Sequence, residues 1–444
     1  MTEAGENTGT ETGLRRFLPP AFQYPQYRTF WLGMLASVSG FQMMQFGQIV
    51  LIHDLKDSPL FLGLLGLAAG IPAIILNPMG GVYADRWDKR RLIVICQAIT
   101  AGLLLVLATL TLLKMVEVWH SLTIAFLVGA VEAFDQAARR ALFPHLVARP
   151  ALVSAVALNS AIWSGTRVVA PAAAGLIIAH FNPAAAFYLA ALGFAAMAVA
   201  VYWLNSPPRN PVAQASPLKD MLEGLSFIRR SSVFSFLIAM TFFNSFFGIS
   251  YVYLMPVFAL DILEVGTEGQ GWLLSIGGMG ALLTTAWLGS RKEARGKGLL
   301  VIGGAIVFGS SLAAFGLTSR FFPSYPLALG LMFVMGVSSA AYMISITSSF
   351  QLLVPDHMRG RVMGFFGMTW NILPLGGMQV GALASLITAP YAVAVGGLAV
   401  AAFASGTATF SRQVRNLGTL IRQAETGVDV PTIEPSASPS LPRS

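Results

Sequence analysis

Apolar residues run almost unbroken for twenty or more positions along most of the chain, and short clusters of basic and turn-forming residues separate the runs. Runs of this length, with few charges and no strict alternation, fit helices that cross a bilayer, where each span needs roughly 20 apolar residues. The pattern predicts twelve spans, over 29–52, 60–83, 92–113, 119–141, 154–179, 184–204, 233–257, 270–289, 299–318, 326–350, 361–384 and 388–409. Connections are short except around 205–232. The first run starts too late and continues too far for a cleaved signal peptide. The expected fold is all-α, with twelve transmembrane helices in two six-helix pseudo-repeats around a central cavity. The expected domains are a tail over 1–28, a first bundle over 29–205, a linker over 206–232, a second bundle over 233–410 and a tail over 411–444. Polar residues 1–13 and the Pro/Ser-rich 429–444 read as disordered.

Composition agrees. Hydrophobic residues make up 55% of the chain, charged residues 11%, and mean hydropathy is +0.68. A soluble monomer does not expose that much apolar surface, so the lipid bilayer is the expected partner. The net charge of +8 and a pI near 9.8 would fit nucleic acid, but the positions of the charges explain them differently. With the N-terminus placed in the cytoplasm, 24 of the 28 Lys and Arg residues fall on inner segments. Lys56, Lys114 and Arg320 fall outside, and Arg167 lies within a span. Cytoplasmic loops carry this excess in membrane proteins. Both termini are therefore expected in the cytoplasm, and no nucleic-acid partner is expected.

Some chemistries are excluded. The lone cysteine, Cys96, sits in an apolar run and supports neither a disulfide nor a cysteine metal site. The five histidines lie at or beyond span ends, no HExxH occurs, and no metal site is expected. The phosphate loop GxxxxGK[ST] is also missing, so ATP does not drive this chain directly. Neither an enzyme nor a cofactor is expected. Transport coupled to a gradient, or facilitated diffusion, remains.

The two halves resemble each other. A basic loop follows the second span of each, DRWDKRR (85–91) and SRKEARGK (290–297). The loops after the fourth spans, FPHLVAR (143–149) and VPDHMRGR (354–361), set Pro before His and a basic residue. The fifth spans contain APAAAG (170–175) and LPLGG (373–377). Internal symmetry of this kind is expected of transporters, whose site lies between two repeats.

GGVYADRWDKRR (80–91) resembles the loop between helices 2 and 3 that marks the major facilitator superfamily. The resemblance implies a conformational switch built from Gly81, Asp85, Arg86, Lys89 and Arg90. Asp85 would latch onto a basic group or helix N-terminus of the opposing half. The same residues could instead act only as positive-inside anchors. The chain is also similar to the drug:proton antiporter-3 branch, which includes macrolide and enterobactin exporters. That similarity rests on DSPLFLG (57–63), VEAFDQAARRALFPHLV (131–147), ALNSAIWSGTRVVAPAAAG (157–175), LKDMLEGLSFIRRS (218–231) and QLLVPDHMRGRVMG (351–364). Asp88 stands where the superfamily usually has Gly, Ala137 where the branch often has Pro, and Ala170 where antiporters carry the Gly of a Gly-Pro pair.

Charges inside spans are the best site candidates, because each costs at least ~2.5 kcal/mol at the bilayer centre. Three stand out as proton-coupling or intramembrane charges: Glu132 and Asp135 on span 4, and Arg167 on span 5. Asp135 is one turn from Arg139, so a local ion pair is its plain alternative. Arg167 needs a partner or a wet cavity, and by depth Glu132 is the expected partner, either for coupling or as a structural pair. Gln42, Gln45 and Gln48 share one broad face of span 1. With Trp163, Asn244, Tyr251 and Trp370 they are the substrate-cavity candidates; the alternative is that these groups bond between helices. The resemblance implies that spans 1, 4, 7 and 10 border the cavity.

The leading expectation is a proton-coupled exporter of a small organic molecule, such as a drug, a macrolide-like compound or a siderophore. It would be a monomer in a bacterial cytoplasmic membrane. A metabolite importer or facilitator, or a non-transporting sensor with this fold, are the alternatives.

Overall fold

The computed structural model describes residues 19–204, 217–290 and 297–410, together with 419. Its side chains are described except at 77–86, 217–222, 297–298, 356–357, 370 and 410. No strand occurs among the described residues.

Twelve helical segments are long and apolar enough to cross a membrane, and each overlaps one predicted span. In chain order the helices are α1 (Pro25–Leu55), α2 (Pro59–Arg86), α3 (Lys89–Leu112), α4 (Val118–Leu142), α5 (Leu152–His180), α6 (Pro183–Tyr202), the linker helix α7 (Pro217–Arg230), α8 (Ser232–Phe243), α9 (Gly266–Ser290), α10 (Lys297–Phe321), α11 (Tyr325–Leu353), α12 (Asp356–Trp370), α13 (Leu373–Ile387) and α14 (Ala389–Phe410). Proline stands in the first turn of α1, α6 and α11, where the missing N–H removes no helical bond. Asp88, Asn182 and Ser231 cap the following helices by accepting from Arg91, Ala185 and Phe234 N–H groups. Asp88, a departure from the superfamily pattern, thus has a local role as the N-cap of α3.

Two spans depart from the expectation of continuous helices. Span 7 begins as α8, loosens to a π-turn over Asn244–Gly248, tightens to 3₁₀ over Ile249–Leu254 and loosens again over Val257–Ile262. Pro256, inside this stretch, cannot donate the helical bond to the preceding turn. Span 11 breaks at Asn371–Ile372 into α12 and α13, and Pro374 disfavours helical geometry just before it. Irregular backbone at membrane depth is tolerated where it is buried in protein or lines a cavity.

Packing repeats with an offset of six spans. In the first half α2 lies on α4, α3 on α6 and α1 on α6; in the second, α9 lies on α11, α10 on α14 and span 7 on α14. The halves meet through α2 with α13 and α5 with α9, two contacts that exchange under the same offset. Without a hydrophobic drive between helices in lipid, close backbone approach supplies the attraction. A Cβ at Gly271 would lie 2.6 Å from the Pro171 carbonyl oxygen, and one at Gly381 would lie 2.5 Å from that of Pro59. The glycine pairs 66/70 and 377/381 both lie on the α2–α13 seam.

Exposed large apolar residues such as Leu32, Leu105, Val199, Leu283 and Leu398 form a lipid-facing surface. Five of the eight tryptophans, Trp87, Trp119, Trp203, Trp272 and Trp287, are exposed near helix ends, as in the aromatic belts at membrane interfaces. This is a multi-pass membrane protein.

Candidate functional site

Between the halves lies a cavity of about 330 Å³. Its wall takes Gln42, Gln45 and Gln48 from α1, Gly66 from α2, Arg167 and Pro171 from α5, Ile249, Tyr251, Val252 and Tyr253 from the 3₁₀ part of span 7, Gln270 and Gly278 from α9, Met335 and Ser339 from α11, and Leu373 from the break in span 11. The three span-1 glutamines share one face, as the spacing of three implies. Gln45 is exposed to the space and Gln48 is buried in its wall. Arg167 and Tyr251 also reach the cavity, from opposite halves. Both irregular segments of the second half contribute to the wall.

Other candidates lie elsewhere. Asn244 is fully buried within the second half, away from the cavity wall. Seven residues separate it from Tyr251, which would put both on one face of a regular helix. The change from π to 3₁₀ winding breaks that register. Trp163, one turn from Arg167, stands edge-on to Phe41 at 6.5 Å and is not part of the wall. Trp370 ends α12, and its side chain lies outside the described residues, as do the side chains of Gly81, Asp85 and Arg86. Lys89 opens α3. Arg90 donates to the Leu204 carbonyl oxygen at 2.7 Å and lies over the Tyr202 ring, so it ties α3 to the end of α6.

The expected pairing of Glu132 with Arg167 is not found among the described residues. Helices α4 and α5 are neighbours in the chain but do not pack along each other: α4 lies on α2 and α3, whereas α5 lies on α1 and α9. Glu132 accepts a hydrogen bond from Gln136 at 3.0 Å instead. Asp135 pairs with Arg139, the local alternative read from the sequence. Arg139 also donates to Ser37 of α1 (2.7 Å), and Ser37 donates to Gln97 of α3 (3.0 Å). A buried polar network therefore joins three helices of the first half.

The sequence did not reveal several contributors. Tyr253 wedges its ring between Gly66 and Gly377, on opposite halves; a Cβ at either glycine would come within 2.8 Å of it. Gln270 enters the wall from the first turns of α9. At the end of the bundle opposite the basic loops, His53 of α1 lies 3.1 Å from Asp261 of span 7. Asp57 joins them, with ligand atoms of all three within 4.8 Å of one another. Asp261 is 208 positions from His53, and nothing local signals their meeting.

The contacts between halves run from mid-depth to that end: Gly278 on Arg167, Gly271 on Pro171, Gly175 on Thr267, Gly70 on Pro374, Gly63 on Gly377 and Gly381 on Pro59. No comparable helix pairing joins the halves at the basic-loop end among the described residues.

Two six-span halves around a mid-depth cavity lined by broken helices define a transporter of the major facilitator fold. The chain belongs to the transmembrane secretion effector family of that superfamily, whose sequence profile matches residues 18–434. It is 24% identical over 369 residues to macrolide efflux protein A of Streptococcus pyogenes, covering 82% of this chain and 89% of that one. It is 26% identical over 362 residues to the multidrug efflux pump Tap of Mycolicibacterium fortuitum, covering 78% and 85%. A crystal structure of a POT family transporter in complex with 5-aminolevulinic acid superposes with a TM-score of 0.70 at 12% identity, over 89% of this chain and 99% of that one; it shares the fold. The family and these relatives are transporters, not enzymes.

Proposed function

We propose that the protein exports a small organic molecule in exchange for protons by alternating access, and that the conformation described here opens its cavity to the cytoplasm. The observation that carries this reading is the one-sided closure of the two halves. Glycine-lined seams and the His53–Asp261 contact close the end with few basic residues, while the basic-loop end, read as cytoplasmic from its charge, has no such seam among the described residues. The direction of transport draws on the efflux proteins it resembles.

Coupling is assigned to the two carboxyl groups that lie away from the ends of their span, Glu132 and Asp135. Asp135 is engaged by Arg139 in a fully buried setting, whereas Glu132 is half-buried and held only by the amide of Gln136. Glu132 is therefore the group freer to exchange protons, with Arg139 rather than Arg167 as the nearby cation.

The test is flux in proteoliposomes, using a compound to which a deletion strain becomes hypersensitive. One proton exchanged per neutral substrate across one pH unit supports about tenfold accumulation at most. Glu132→Gln, which mimics the protonated form, should lose that accumulation while retaining exchange. Wild-type flux indifferent to pH gradient and membrane potential would make the protein a facilitator. The orientation is checked separately: a single cysteine at Arg291 in a Cys96→Ser background should resist an impermeant thiol reagent added to intact cells.

A further inference from the structure

We infer that the cavity is built for an organic anion and that Arg167 is the residue that holds its charge. The inference deepens the transport reading, because it names the class of substrate for the same cavity.

It begins with an inventory of charge. Of the chain's 20 acidic residues, Glu132 and Asp135 lie away from the ends of their span, while Asp54 and Asp261 sit at the outer ends of α1 and span 7. The first two are on α4, which does not pack along α5, and both are held within their own helix, Asp135 by Arg139 and Glu132 by Gln136. No carboxylate among the described residues pairs with Arg167. Among the described residues the cavity wall contains no Asp or Glu, and Arg167 is its one cation.

Arg139, in the last turn of α4, makes the contrast. It is buried, paired with Asp135 and donating to Ser37. Arg167 counts as exposed, yet the space it faces is this cavity, at mid-depth between the halves. An arginine stays protonated, and a charge placed in a low-dielectric region needs a counter-charge or water. A structural arginine has the first built in, as Arg139 does. Arg167 leaves that place open on the side where a substrate would sit.

The surroundings suit an anion with an organic body. Gln42, Gln45, Gln48 and Gln270 set four amides around the space, with the hydroxyls of Tyr251 and Ser339 among the other polar groups. Gln48 and Gln270 are each more than nine-tenths buried, and each has an amide atom without a hydrogen-bond partner, Nε2 of Gln48 and Oε1 of Gln270. Phe46, Ile49, Leu65, Leu274, Phe308 and Met335 supply apolar wall. The guanidinium fork matches a carboxylate, sulfonate or phosphate in two parallel bonds. A cationic amine in the same place would meet an unscreened like charge with no carboxylate to hold it.

The location adds a conformational consequence. The Arg167 carbonyl oxygen would lie 2.8 Å from a Cβ at Gly278, so the backbone carrying the arginine is part of the α5–α9 seam between halves. An anion seated on Arg167 therefore acts at the hinge line of the alternating movement.

The experiment uses the purified full chain with Cys96→Ser and one new thiol, Gln45→Cys, on the cavity wall. Two methanethiosulfonate reagents of similar size are compared, the anionic sulfonatoethyl and the cationic trimethylammonioethyl forms, each normalised to its rate with a free thiol. The expected result is a preference for the anionic reagent of about fivefold or more, kept with Arg167→Lys and erased with Arg167→Gln. In a second arm, millimolar 4-phenylbutyrate should slow labelling by a neutral maleimide more than 4-phenylbutylamine does. A preference unchanged by Arg167→Gln, a preference for the cation, or equal protection by acid and amine would each overturn the inference. If Arg167→Gln does not fold, the salt dependence of the wild-type preference decides: screening must reduce it if the arginine field produces it, and a preference insensitive to salt overturns the inference. Neither arm needs flux. A protein that passes both and transports nothing would refute the transport reading alone, and an exporter of amines that fails both would refute this inference alone.

Discussion

The first six spans carry three charges in their interiors, Glu132, Asp135 and Arg167, with Arg139 in the last turn of α4. The last six carry none in their interiors, yet two of them break, span 7 through alternating π and 3₁₀ turns and span 11 at Asn371–Ile372. Their core is aromatic instead, with Phe236, Phe243 and Phe403 stacked and Phe258 packed on Phe315. Charge and irregular backbone are thus divided between the halves. The division has a physical basis: a buried charge needs a fixed partner, while an irregularly wound segment filled with apolar side chains leaves no side-chain polar atom to satisfy. One half supplies the charge that reaches the cavity, and the other supplies the irregular part of its wall.

The largest effect is expected at the buried network of the first half. Arg139→Met leaves the Asp135 carboxylate buried without its counter-charge and should destabilise the protein by about 3–5 kcal/mol. The loss would appear as a lower thermal unfolding midpoint and a smaller monodisperse fraction. Adding Asp135→Asn to Arg139→Met should recover most of it. A single variant as stable as the parent would show that the first half does not depend on this pair.

A smaller effect is expected at the seam between halves. Gly271→Val places side-chain atoms against the Pro171 carbonyl of the other half, where a Cβ alone already approaches to 2.6 Å. Overpacking of this kind typically costs about 1–3 kcal/mol. The variant should therefore favour the opposite conformation by about 5- to 150-fold. Accessibility of a thiol at Gln45 from the two sides of a vesicle reads that shift, and unchanged accessibility would mean that the seam is not the moving surface.

The smallest effect belongs to the closed end. Asp261 is 42% exposed, so its contact with His53 is worth at most about 1 kcal/mol. Asp261→Asn should change side-dependent labelling at Gln45 by no more than about fivefold. A larger change would make this contact, rather than the glycine seams, the main latch.

Much of this was legible in the chain because the bilayer imposes it. A span needs its apolar length, so twelve runs predict twelve helices; a spacing of three on a helix keeps Gln42, Gln45 and Gln48 together; and a charge in lipid draws attention wherever it stands, which singled out Arg167. The pairing of Asp135 with Arg139 was legible because it is local. Partners of Arg167 were not, since chain order places span 4 beside span 5 whereas packing places α5 beside α1 and α9. Asn244 was misplaced for a related reason, because hydropathy carries no information about a change from π to 3₁₀ winding.

By itself, then, the sequence determined the solvent, the number of spans, the repeat and the residues that have to be compensated. Each follows from a single residue's free energy in lipid or from periodicity along one helix. The tertiary structure alone decided which compensation occurs: that Asp135 and Ser37 satisfy Arg139, that Tyr253 sits between glycines of opposite halves, that His53 meets Asp261, and that Arg167 faces a cavity instead of a carboxylate. These outcomes depend on which helices share a seam, and that is set by backbone approach at glycines distant in the chain, a property of pairs of helices that no single run of sequence contains.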